Sequence, residues 1–264
     1  MAPVKVGVFG AAGRMGATVC QAVVDDPDLE LVACVDPQHA GIDVRQAARV
    51  DVADMAVSKS PATFAAAGVE VAVDFTSLDA ARENLQWCAE NGVHAVVGTT
   101  GFTEEHYDEL RRIFIRSNCV VAPNFAIGAV LMMRFAELAA PYFDTAEIIE
   151  LHHDQKADAP SGTAMLTAER MAAASGQWGE DPTRTVVVEG ARGGRAAGGI
   201  MVHSVRLRGL VAHQEVLFGT TGQALTIRHD SFDRSSFMPG VLIAVKSVAD
   251  RPGLTVGLDE LLDL

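Results

Sequence analysis

Positions 150 to 164 read Glu-Leu-His-His-Asp-Gln-Lys-Ala-Asp-Ala-Pro-Ser-Gly-Thr-Ala, a short stretch dense in groups that move protons or hold anions. His152 and His153 can change protonation near neutral pH. Lys156 adds a full positive charge. Ser161 is placed to cap a helix that opens at Gly162, and the first amides of that helix, those of Gly162 and Thr163, then point outward as an anion site. Such a site suits a carboxylate. Two adjacent histidines are not a zinc pattern and HExxH is absent, so no metal is expected. Ser161 lacks the GxSxG setting of a nucleophile elbow, which argues against acyl transfer. Taken alone, the segment also fits a structural turn with a solvated lysine.

A second set of residues stands near the start. Gly10-Ala11-Ala12-Gly13-Arg14-Met15-Gly16 follows an apolar run, Val4–Phe9, and opens a stretch of helical spacing, Met15–Asp25. Glycines there permit a tight turn and a close approach of pyrophosphate to the backbone, while the helix N-terminus favours its charge. Gly13 and Gly16 match the last two glycines of GxGxxG, but Ala11 stands in place of the first. Asp36 ends the second apolar run, 20 residues beyond Gly16, where an acid can bond the adenosine ribose hydroxyls. A plain strand–helix turn with a surface aspartate is the alternative. Gly98-Thr99-Thr100-Gly101 and Ala122-Pro123-Asn124-Phe125 also follow apolar runs. Thr99, Thr100 and Asn124 offer hydrogen bonds to a nicotinamide ribose or carboxamide, although either loop alone reads as an ordinary turn.

These residues need elements to carry them. Val4–Phe9, Leu29–Val35, Val71–Phe75, Ala95–Gly98 and Val120–Ala122 read as short buried strands. Met15–Asp25, Ala80–Asn91 and Glu104–Ser117 read as helices between them, a rhythm that implies parallel βαβ units. Pro37–Lys59 has no clear period. Beyond Asn124 the rhythm changes. Gly128–Ala140 and Gly162–Ala174 read as helices, and Glu147–Leu151, Val186–Val188, Met201–Leu207, Glu215–Phe218 and Leu225–Arg228 as strands. Pro239–Ala249 returns to helix and Leu254–Val256 closes as a strand. The expected fold class is α/β: a Rossmann-like dinucleotide-binding domain over residues 1–127, with 238–264 packing back on it. A second, α+β domain built on a mixed sheet spans 128–237 and serves substrate binding and oligomerisation.

Composition narrows the partners. The net charge of −13 over 264 residues repels a phosphate backbone, so no nucleic acid partner is expected. No run approaches the ~20 apolar residues of a membrane helix, and the N-terminus lacks the pattern of a signal peptide. A cytoplasmic location follows as the expectation. Cys20, Cys34, Cys88 and Cys119 form no CxxC pair and read as buried free thiols.

Placed together, these segments resemble a known family. His-His-x-x-Lys-x-Asp-Ala-Pro-Ser-Gly-Thr, here His152 to Thr163, is similar to the signature of the hydroxy-tetrahydrodipicolinate reductases. The glycine loop, Val97–Gly101 and Ala122–Phe125 resemble that family's cofactor segments in the same order, and the likeness runs to Pro252–Asp259. Leu210–Phe218 is similar to actinobacterial members. The resemblance implies reduction of 4-hydroxy-2,3,4,5-tetrahydrodipicolinate to tetrahydrodipicolinate by NADH and/or NADPH, in diaminopimelate and lysine biosynthesis. It implies proton exchange by His152, proton donation by Lys156, and a dicarboxylate held by His153, Gly162 and Thr163. It places the cofactor against Gly10, Ala11, Ala12, Gly13, Arg14, Met15, Asp36, Gly98, Thr99, Thr100, Ala122, Pro123, Asn124 and Phe125. It also implies a homotetramer joined through the C-terminal sheets. Some members carry an arginine directly after the acid that ends the second strand; Pro37 follows Asp36 here, which counts against strict NADPH preference. Two rival functions remain at this stage: another two-domain nicotinamide-dependent dehydrogenase, and a dinucleotide-sensing module without catalysis. The first would turn over a semialdehyde instead of the cyclic imine, and the second would tolerate loss of Lys156.

Overall fold

A computed structural model describes every residue except Met1, Ala53 and Asp263. In chain order its regular elements begin with β1 (Val4–Phe9), α1 (Arg14–Asp25), β2 (Leu29–Val35), α2 (Val44–Ala47) and α3 (Ala62–Ala67). β3 (Val71–Asp74), α4 (Leu78–Asn91), β4 (His94–Val97), α5 (Glu104–Ile113) and β5 (Cys119–Val121) follow. Next come α6 (Ile127–Ala139), β6 (Thr145–His152), α7 (Gly162–Ala174), β7 (Gly194–Arg195), β8 (Met201–Arg206), β9 (Ala212–Thr220) and β10 (Gln223–Ser231). The chain closes with α8 (Met238–Ser247) and β11 (Leu254–Val256). It divides into two compact units, Met1–Phe125 with Phe237–Leu264, and Ala126–Ser236. No helix among the described residues is long and apolar enough to cross a membrane.

The first unit is built on a six-stranded sheet in the order β11-β5-β4-β3-β1-β2. Every neighbouring pair is parallel. Strands buried on both faces need no polar alternation, which is why Val71 to Asp74 are all buried. One side of the sheet packs Phe9, Phe64, Leu85 and Phe114, all nearly without exposure, and the rings of Phe9 and Phe64 lie 4.6 Å apart. Each such side chain contributes about 1.5–3 kcal/mol by leaving water. α1 buries Gly16, Val19, Cys20 and Val23, a stripe at helical spacing. α5 begins with a capping box between Thr103 and His106, has Glu104 and Glu105 in its first turn, and ends with Arg111 and Arg112. Both charge placements complement the helix dipole. The strand order reverses around β1, which has β2 on one side and β3 on the other. In open α/β sheets the crevice at that reversal, outside the carboxyl ends of the strands, is where ligands bind.

All four cysteines are buried free thiols. Cys20 and Cys34 lie with their sulfurs 3.8 Å apart and share a weak hydrogen bond, which together with burial raises the Cys20 thiol well above its ordinary range. Burial likewise raises Cys88 and Cys119. These thiols pack as small apolar side chains.

The second unit holds a five-stranded mixed sheet in the order β10-β9-β6-β8-β7. β6 pairs parallel with β8 and antiparallel with β9, while β9–β10 and β7–β8 are antiparallel. One expectation fails here: Val186–Val188 is not a strand, and its side chains are 58%, 89% and 66% exposed. Three β-branched residues in a row favour extended backbone, but a strand also needs a partner ladder. This edge of the sheet ends instead at the two-residue β7.

Candidate active site

In the first unit, the segments at the carboxyl ends of β1, β2, β4 and β5 carry the residues expected at a cofactor. Gly10 adopts φ +63°, a left-handed conformation that glycine takes without strain. A Cβ on Gly16 would stand 2.0 Å from the Gly10 carbonyl oxygen, so only glycine lets α1 start this close to the loop. No side chain caps α1 and its first turn holds no acid, so the amides opening the helix keep their anion-binding character. Arg14 is exposed at that helix start and Met15 is half-buried. This cradle of close backbone and uncapped helix fits a pyrophosphate. Asp36 lies beside it and is largely buried. Its carboxylate accepts hydrogen bonds from the amides of Ala12 (3.3 Å) and Gln38 (3.1 Å), and its Oδ1 lies 3.1 Å from His39 Nδ1. The acid thus braces the glycine loop from the end of β2.

Further along the same edge, Met15, Gly98, Thr100, Pro123, Asn124 and Phe125 line a cavity of about 210 Å3. Phe75 and Phe237, neither expected from the sequence, complete its wall. A Cβ on Gly98 would stand 1.9 Å from the Phe75 ring, so glycine is required for the ring to lie against this loop. Thr99 does not face the cavity. It is buried, and its hydroxyl donates to Asp74 Oδ1 at 3.1 Å. Ala122 is fully buried under the loop.

In the second unit the dense polar segment follows β6. His152 is the last residue of that strand, His153 follows and is exposed, and Lys156 lies in the turn beyond. Ser161 caps α7, its hydroxyl accepting from the Ala164 amide at 3.2 Å. Gly162 is exposed at the first position of that helix and Thr163 is half-buried at the second.

Two groups without an assigned role organise the segment. Glu150 has no exposed surface, yet receives His152 Nδ1 at 2.5 Å, both terminal nitrogens of Arg206 at 2.9 and 2.8 Å, and the Ser161 amide at 3.2 Å. Burial alone would push its carboxyl up, but the hydrogen bonds from His152, Arg206 and Ser204 outweigh it and hold the group at about 2. An ionised Glu150 takes the proton side of Nδ1, which leaves Nε2 of His152 for exchange with a ligand. Arg206 also donates to the Asp158 carbonyl at 2.6 Å. Asp158 in turn grips Lys156 Nζ at 2.7 and 2.8 Å, and the lysine keeps its carboxyl below the ordinary range. His152, Lys156 and the start of α7 are therefore tied into one network through Glu150, Arg206 and Asp158. Glu150 was legible in principle: residues two apart on a strand share a face. Arg206 pairs in register with His152 across β8, a neighbour that sequence spacing alone does not reveal.

A parallel sheet with a glycine loop at its strand reversal, joined in one chain to a proton-bearing segment of networked ionisable side chains, defines a Rossmann-type reductase. Residues 4–125 match the family model described as dihydrodipicolinate reductase, N-terminus, and residues 128–262 match the corresponding C-terminus model. The 4-hydroxy-tetrahydrodipicolinate reductase of Cutibacterium acnes is 54% identical, and that of Nocardia farcinica 52%, each over 99% of both chains. A dihydrodipicolinate reductase from Paenisporosarcina sp. TG-14, solved with dipicolinate bound, is 41% identical. It superposes with a TM-score of 0.85 over 98% of this chain and 99% of that one. An amine dehydrogenase of Mycobacterium smegmatis shares the fold at a TM-score of 0.68 and 16% identity, over 97% of this chain and 95% of that one. The chain belongs to the dihydrodipicolinate reductase family and is an enzyme.

Proposed function

We propose that the chain reduces 4-hydroxy-tetrahydrodipicolinate to tetrahydrodipicolinate in lysine biosynthesis, with a nicotinamide dinucleotide as reductant. The observation that carries this reading is the network joining His152, Glu150, Arg206, Asp158 and Lys156 ahead of the N-terminus of α7. The substrate is a ring with two carboxylates, and the dipicolinate held by the Paenisporosarcina relative belongs to the same class of ligand. His153 and the Gly162 and Thr163 amides hold the carboxylates. Lys156 places a positive charge beside a dianion, and its grip on Asp158 fixes where that charge stands. When bound, the nicotinamide would supply the hydride that the dehydrated substrate takes at ring C4. The reduced ring then needs a proton at the neighbouring carbon, which Lys156 donates, while His152 exchanges protons through Nε2. General acid catalysis of this kind contributes roughly 10²–10⁴ in rate.

Gly10 to Met15 take the pyrophosphate and Asp36 the adenosine ribose. Phe75, Gly98, Thr100 and Pro123 to Phe125 surround the nicotinamide half. Asp36 repels a 2′-phosphate, and Pro37 brings no cation to offset it, so NADH serves at least as well as NADPH. The enzyme works in the cytoplasm as a homotetramer joined through its second unit.

A steady-state assay with freshly generated cyclic substrate tests these statements together. Lys156→Met keeps most of the side chain without its charge and should lower turnover by ~10²-fold or more, while NADH affinity holds. A folded, NADH-bound Lys156→Met with near-normal turnover would remove Lys156 from the chemistry. In the same assay, a preference for NADPH of about 100-fold, about 2.7 kcal/mol, would overturn the reading of Asp36.

A further inference from the structure

Asp74 ends β3, is 2% exposed, and is not itself among the residues assigned to either ligand. Its Oδ1 accepts hydrogen bonds from the Thr76 amide at 2.8 Å, the Thr76 hydroxyl at 2.7 Å and the Thr99 hydroxyl at 3.1 Å. Its Oδ2 accepts from Asn84 Nδ2 at 2.7 Å. The four donors come from the loop after β3, the loop after β4, and α4. A buried carboxylate is costly unless its lone pairs are satisfied, so four donors converging on one marks a built junction.

The location matters as much as the saturation. β3 flanks β1 at the strand reversal, where ligands of such sheets bind. The residue after Asp74 is Phe75, whose ring lies against Gly98 and 5.7 Å from the ring of Phe125. The residue after Thr99 is Thr100, and both Phe75 and Thr100 line the cavity with Pro123 to Phe125. Fixing Thr76 and Thr99 on one carboxylate therefore fixes Phe75 and Thr100, their neighbours in the chain. An amide in place of the carboxylate would remove the negative charge on which the four donors converge, and Asn84 could keep its bond only by turning its own amide over so that its oxygen accepts.

We propose that Asp74 is a positioning residue for the dinucleotide: it locks the loops after β3 and β4 so that Phe75 and Thr100 hold the nicotinamide half. This rests on the reading of the first unit as the dinucleotide site. Its effect falls mainly on the nicotinamide half, because the pyrophosphate cradle and Asp36 belong to β1, α1 and β2 and Asp74 reaches the cradle only through Thr76, whose methyl lies beside Gly10.

The test is calorimetric titration of the full chain, without substrate, using NADH and ADP-ribose, which lacks the nicotinamide. Asp74→Asn should weaken NADH by about tenfold or more and ADP-ribose by less than about threefold. In the double variant Asp74→Asn with Asn84→Asp, donor and acceptor exchange places, while the amide oxygen introduced at position 74 still accepts from Thr76 and Thr99. NADH affinity should return to within about threefold of the parent. Should Asp74→Asn fail to fold, Thr99→Val removes one donor only and should show the same selective loss on a smaller scale. Equal weakening of both ligands, or unchanged NADH affinity in a folded variant, would overturn the proposal while leaving the dinucleotide site intact. Absence of NADH binding by the parent chain would overturn the dinucleotide reading as well, and that result is seen before any variant is made.

Discussion

A carboxylate without solvent around it must find its counter-charge within hydrogen-bond reach, and Glu150 finds that charge in Arg206 and a further hydrogen-bond partner in His152. Removing one partner of a buried pair leaves the other unpaired at a cost of ~3–5 kcal/mol. Glu150→Gln should therefore lower the stability of the chain by about that amount in urea unfolding, and lower turnover because His152 then faces a neutral amide in place of the carboxylate that orients it. The sign with pH follows from the depressed carboxyl, about 2 in the folded chain against an ordinary 4.5. Its contribution is complete above the ordinary value and is lost as pH falls toward 2. The urea midpoints of parent and Glu150→Gln should therefore converge as pH is lowered through that window. A gap that stays constant down to the acid end would show that packing, and not the ionised pair, sets the difference.

At the level of elements, much was legible because the local rules and the fold agree. The run Val4–Phe9 and the run Leu29–Val35 are strands with the expected bounds, since apolar blocks bounded by turns have few other uses in a βαβ chain. Gly162–Ala174 is a helix with Ser161 as its cap, the local chemistry that Ser-Gly-Thr encodes. Val186–Val188 misled because propensity speaks for extended backbone and says nothing of a pairing partner. Arg206 and Asp74 were silent for a related reason. Their partners lie 56 residues away for Arg206 on Glu150, and 25 for Asp74 on Thr99. Only the sheet registers bring them together. The glycine loop gives the sharpest test at this scale. Gly16→Ala forces a methyl against the backbone of Gly10, which cannot yield as a side chain can. The entry of α1 must shift, at a cost of about 1–3 kcal/mol. NADH titration and thermal melting should show both weaker binding and lower stability, whereas an unchanged NADH affinity would separate the loop from the ligand.

For the whole molecule, the proposed tetramer is open to a direct measurement. The second unit exposes β10 along most of its length, with Leu225 37% exposed, and also the three valines 186–188. Sedimentation at micromolar protein should give a single tetrameric species, and charged substitutions at Leu225 and Val187 should dissociate it. A monomer in the parent chain would remove the second unit from assembly. Chain order also bears on how such a molecule is made. β5 takes its outer neighbour from β11, registered as Cys119 to Leu254 and Val121 to Val256, so that neighbour leaves the ribosome about 130 residues after β5 itself. At roughly 5–20 residues per second, the hydrogen-bonding edge of β5 waits on the order of ten seconds for its cover. During that interval the nascent first unit offers a raw strand edge to any other chain, while Ala126–Ser236, which lies wholly between β5 and β11, is being synthesised. β11, the last of the described strands in chain order, is therefore what covers the edge of β5, and a chain that stopped short of it would leave that edge bare for good.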